Sequence, residues 1–159
     1  MIRLGRLTDY GIVLMAHLAG AGEGPHAARD LAGETRLPLP AVSKLLKTLA
    51  REGLLVSSRG AKGGYQLARP AEEITVPEMI EALEGPIALT DCAIHEGSCS
   101  QEPRCHVRTP WQHINRAVHE ALSRIRLADL AGSELSGTIV PLASLGVDTT
   151  GIDTTPHSN

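Results

Sequence analysis

Three cysteines, Cys92, Cys99 and Cys105, fall within 14 residues as C-x6-C-x5-C. Isolated cysteines usually serve as small buried hydrophobes. This stretch has no apolar pattern to bury them, because Glu96, Ser98, Ser100, Gln101, Glu102 and Arg104 lie among them. Metal ligation is the reading that uses all three thiols. A structural zinc site ordinarily brings C-x2-C knuckles, in which two thiolates leave one tight turn, and the chain contains none. Longer spacings suit a larger, soft, polynuclear group. Thiolates favour iron-sulfur clusters, whose potential is tuned by exposure and by one non-cysteine ligand. Three cysteines leave one place open for a weaker ligand.

Two rivals stand beside that reading. One is an enzyme with a cysteine nucleophile and a histidine base such as His106 or His113; seven histidines make a base easy to find, but no oxyanion site or substrate pocket accompanies it. The other is a zinc-stabilised interaction module that does not bind DNA.

The elements that must position these groups follow from periodicity. A helix is expected from Thr8, its cap, because Tyr10, Val13, Leu14, His17 and Leu18 recur at helical spacing. A shorter helix spans about 26–35, with Ala28, Leu31 and Ala32 inward, and Pro38 and Pro40 then force a turn. Pro40 opens a third helix with the stripe Val42, Leu45, Leu46 and Leu49, ending at Gly53. Residues 54–59 and 65–69 read as two short strands joined by a glycine-rich, basic tip. Thr75-Val76-Pro77-Glu78 has the form of a capping box for a helix that Gly85 ends. After the aperiodic cysteine segment, Thr109-Pro110-Trp111-Gln112 repeats that form. Trp111, Ile114, Val118, Ala121, Ile125 and Ala128 then make a heptad-like seam, more readily covered by a second subunit than by the chain's own core.

Composition narrows the class. With Tyr10, Tyr65 and Trp111 as its only aromatics, a 159-residue chain must build its core from Leu, Ile, Val and Ala, which favours helices over a β-sandwich. The fold expected is mainly α with one small β-hairpin. The net charge of -3 hides an asymmetry: residues 1–70 hold ten Lys/Arg against five Asp/Glu, and the remainder holds five against thirteen. A basic front half is a candidate polyanion-binding surface. The start imitates a secretory signal, but Asp9 and His17 interrupt its apolar run. With no segment near the roughly 20 apolar residues of a membrane span, no membrane partner and a cytoplasmic location are expected.

Two helices, a tight turn, a third helix with a polar basic face and a basic hairpin follow the order of a winged helix-turn-helix. The third helix fits the major groove with Ser43, Lys44, Lys47, Thr48 and Arg51 toward bases and phosphates. Arg59 and Lys62 at the wing reach the backbone or the minor groove. Gly60, Gly63 and Gly64 suit a tip that needs positive φ and close approach to phosphates.

Leu7-Thr8-Asp9-Tyr10-Gly11, the Val42-Ser43-Lys44-Leu45-Leu46 helix and Ser58-Arg59-Gly60-Ala61-Lys62-Gly63-Gly64-Tyr65-Gln66-Leu67 resemble the Rrf2 family of bacterial regulators over roughly residues 1–130. The Arg-Gly-x-x-Gly-Gly-Tyr wing is the most specific piece. The resemblance implies a homodimer on a palindromic operator in double-stranded DNA and, commonly, a sensing cluster on the three cysteines. It further points to a repressor of SUF-type iron-sulfur assembly genes, with no small-molecule substrate. The expected cofactor is an iron-sulfur cluster, 2Fe-2S ahead of 4Fe-4S.

In the IscR-type members a histidine three residues past the third cysteine completes the ligand set. That place is Arg108 here, and arginine cannot serve. The first cysteine gap is also one residue longer than in that type, so His106, directly after Cys105, is the replacement ranked first. Asp9 is the alternative, because NsrR-type members supply a carboxylate there from the other subunit, although Asp9 also suits the dipole of its own helix. The resulting division is 1–70 for DNA binding, 71–108 for a linking helix and cluster loop, 109–131 for a dimerisation helix and 132–159 for a flexible tail.

Overall fold

The computed structural model describes residues 4–60, 62–94 and 97–132; the expected tail beyond Gly132 lies outside the described residues. Six helices and one hairpin are described, in the order α1 (Arg6–Gly20), α2 (Ala28–Thr35), α3 (Leu39–Arg51), β1 (Leu55–Ser58), β2 (Gly64–Leu67), α4 (Val76–Glu84), α5 (Arg108–Ser123) and α6 (Leu127–Ala131). None of these helices is long and apolar enough to cross a membrane.

The α3 stripe is the centre of the core: Val42, Leu45, Leu46 and Leu49 are buried, packed with Leu14, Met15, Leu31 and Met79 from α1, α2 and α4. Burying one such side chain contributes about 1.5–3 kcal/mol relative to exposure. The helix-turn-helix turn uses Arg36 in the left-handed region at φ 56°. Pro38 caps α3 and Pro40 stands in its first turn, where a missing N–H is harmless.

β1 and β2 pair antiparallel, Leu55 opposite Leu67 and Ser58 opposite Gly64. A contact the periodicity did not announce flanks them: His26 N donates to Tyr65 O and Tyr65 N to His26 O, each at 2.9 Å, so β2 is held on both sides. This corrects the reading of the wing glycines. Gly60 alone of the three has positive φ, 108°. At Gly63 a Cβ would strike the carbonyl of Ser58, and at Gly64 that of His26. Those two glycines admit neighbouring backbone of the same chain.

Three boundaries differ from expectation. α1 begins at Arg6, and Thr8 lies buried inside it; the helix start is capped by Glu84 of α4, whose Oε1 accepts from Gly5 N and Thr8 Oγ1. A partner 76 residues away leaves no local sequence signal. α5 begins at Arg108 without a side-chain cap, so the box at Thr109 does not form, whereas the one at Thr75 does. The helix expected over 109–131 is two helices. Ile125 O accepts from Val76 N at 3.1 Å and Leu127 N donates to Ile74 O at 2.8 Å. Those bonds take the backbone out of the helix. Asp129 Oδ2 then accepts from Arg126 N at 2.7 Å to start α6, which packs Leu127 into the core against α1.

Candidate DNA-binding surface and cysteine loop

Because the apolar stripe of α3 is buried, its other face is turned out. Lys44, Lys47 and Arg51 are exposed, and Ser43 and Thr48 are half-buried between them. Arg51 pairs with its neighbour Glu52 at 3.0 Å, an exposed contact of the kind worth little. Lys44 and Lys47 pair with no carboxylate among the described residues. Arg59 and Lys62 are exposed at the wing tip.

The wing is anchored to α4 at its far end. Arg69 Nη2 lies 2.7 Å from Glu78 Oε1, while Glu78 Oε2 accepts from Thr75 N at 2.8 Å and from Thr75 Oγ1 at 2.9 Å. Burial alone pushes the Glu78 carboxyl up, but the hydrogen bonds from Arg69 and Thr75 outweigh it and hold the group below the ordinary carboxylate range.

The cysteines occupy the connection between α4 and α5. Cys92 sits in a 3-10 turn, Asp91–Ala93, with Sγ 3.3 Å from Thr90 Oγ1. Cys105 directly follows a second such turn, Glu102–Arg104. All three thiols are free and half-buried. Asn115 of α5 clamps the entrance to the loop: its Oδ1 accepts from Leu89 N at 3.0 Å and its Nδ2 donates to Ile87 O at 3.1 Å. Sequence reasoning missed Asn115, since a helical asparagine pointing at a distant loop carries no pattern.

Among the described residues no three His, Cys, Asp or Glu side chains gather into a metal-binding group. Cys92 lines one hollow with Asn115, Arg116 and His119, and Cys99 lines another with Glu102 and Arg108. His106 is exposed, and Asp9 is exposed in the first turn of α1, where its charge complements the helix dipole. The donor types suit a soft polynuclear group: three cysteine thiols outside any disulfide in one loop, with a nitrogen donor next in sequence to the last.

An exposed basic third helix on a packed helical triad, followed by a doubly braced hairpin, is the architecture of a winged-helix transcription regulator. Residues 4–133 match the family described as Rrf2, iron-dependent transcriptional regulator, and the chain belongs to that family. It is 32% identical over 130 residues to protein rrf2 of Nitratidesulfovibrio vulgaris, covering 81% of this chain and 87% of the relative. Two solved structures are similar. CymR, the global cysteine regulator of B. subtilis, matches with TM-score 0.64 and 32% identity over 82% of this chain and 97% of that one. IscR of T. potens matches with TM-score 0.61 and 30% identity over 81% and 85%. The chain is a regulator rather than an enzyme, which sets aside the cysteine-nucleophile reading.

Proposed function

We propose that the chain is a homodimeric, cytoplasmic repressor that reports iron-sulfur cluster status to SUF-type assembly genes through a palindromic operator. The observation that carries this reading is the three free thiols in the loop joining α4, which packs on the DNA-binding helices α1 and α3, to α5. Cys92, Cys99 and Cys105 would hold a 2Fe-2S cluster, with His106 or the Asp9 of a second copy in the fourth place. When bound, the cluster supplies an oxidant- and iron-sensitive link whose loss is the signal. Zinc in the same loop is the rival that this ligand spacing disfavours.

The dimer is supported by α5. None of its side chains is fully buried, and its seam leaves Trp111 38% and Ile114 46% exposed beside Val107 at 54%. A run of large apolar groups on one helix calls for a partner. Pairing two copies there sets the separation of two α3 helices, and half-sites lie about one DNA turn, roughly 34 Å, apart. A rotation of the loop against α4 then changes operator affinity. Ser43 and Thr48 would face base edges; Lys44, Lys47, Arg51, Arg59 and Lys62 would take phosphates.

The test is iron and sulfide analysis with an absorption spectrum of anaerobically purified protein, then gel shifts on its own upstream DNA with and without cluster. Visible bands, about two irons per chain and a cluster-dependent shift are expected. Colourless, iron-free protein that reconstitution cannot load overturns the sensing half. Indifference to duplex DNA at low ionic strength overturns the rest.

A further inference from the structure

Glu102 is the anomaly of the cysteine loop. Gln101, Pro103 and Arg104 around it are exposed, yet its side chain is only 6% exposed. Oε2 accepts from Gly97 N at 2.7 Å and Oε1 faces Arg108 Nη2 at 2.5 Å. Its backbone stands in the same register. Glu102 N donates to Cys99 O at 3.1 Å, Cys105 N to Glu102 O at 3.3 Å and Arg108 N to Cys105 O at 3.5 Å. Cys99 and Cys105 are thus the two neighbours of Glu102 along one continuous ladder of turns. A buried ion pair is weak evidence for added stability, because desolvation offsets most of its attraction; what it supplies is a defined geometry.

We propose that Glu102 is a positioning residue that folds the loop over 97–108 without any metal, presenting Cys99 and Cys105 as a preformed pair. Arg108, whose guanidinium lies against this carboxylate, closes the far end of the ladder and acts as a brace instead of a ligand. Preformation means that cluster loss leaves this half of the loop folded, so that reloading needs no refolding of it. The part of this concerning cluster retention rests on the sensing function proposed above. The metal-free fold does not.

The test uses the full chain in two states. In metal-free protein followed by hydrogen exchange, Glu102→Ala is expected to speed exchange at the Gly97 amide at least tenfold and to leave α3 protected. Glu102→Gln keeps an acceptor for Gly97 while losing the negative charge that faces Arg108, and is expected to restore most of that protection. In reconstituted protein challenged with an iron chelator, Glu102→Ala is expected to release iron at least fivefold faster than the parent, with Glu102→Gln between. Parental exchange and parental iron release in both variants would overturn the assignment. Should Glu102→Ala lose protection in α3 as well, the glutamine variant decides: parental iron release and parental exchange at Cys105 and Arg108 count against the brace. A parent chain that takes up no iron sinks the sensing function alone, and the exchange arm still judges Glu102.

Discussion

Glu78 joins the end of the wing to the start of α4 through Arg69 and Thr75, and its carboxyl is held below the ordinary carboxylate range. A carboxylate depressed in the folded state contributes stability that is present above its unfolded pKa and is lost as pH falls through the folded one. Glu78→Gln is therefore expected to melt lower than the parent at neutral pH, with the gap closing as pH drops below the usual carboxylate range. Melting curves that stay parallel down to pH 3 would remove this link. Lys47 makes a sharper case for DNA, being exposed on α3 with no carboxylate partner among the described residues. If it meets a phosphate, Lys47→Ala lowers the slope of log affinity against log salt by about 1 and weakens all duplexes alike. An unchanged slope would place Lys47 off the backbone.

At the scale of elements, α6, the last helix described, packs back against α1, the first. Leu127 is fully buried against the core, and the bridge between Thr75 and Arg126 aligns it. Truncating a buried leucine leaves a cavity and costs about 2–5 kcal/mol. Leu127→Ala is expected to destabilise the whole winged-helix half by that amount in urea titration, although it lies 57 residues beyond the expected boundary at Pro70. A loss confined to α5 and α6, with α3 unaffected in hydrogen exchange, would show the two halves to be independent.

For the whole molecule, charge is sorted along the chain, and the exposed seam of α5 lies in its acidic part. The cationic surplus lies before Pro70, and the exposed apolar groups of α5 lie after it. Ile114→Glu places a charge on the seam and is expected to convert the proposed dimer to monomer in sedimentation at micromolar concentration. Operator affinity is expected to fall at least tenfold, because one half-site is released. A variant that still sediments as a dimer would move the interface elsewhere.

What the amino-acid order settled by itself was everything carried by local periodicity. The α3 stripe, the hairpin, the Thr75 capping box and the grouping of three cysteines in one aperiodic loop were legible because each depends on neighbours a few residues away. The wing motif carried the family for the same reason. Tertiary structure decided what depends on distant partners: Glu84 capping α1, His26 bracing β2, Asn115 gripping the loop and the backbone bonds from 74–76 that split the last helix. The apolar spacing runs unbroken from Ala121 through Ile125 to Ala128, so no local rule marks that split. It exists because hydrogen bonds to a segment about 50 residues earlier outcompete the next turn of helix.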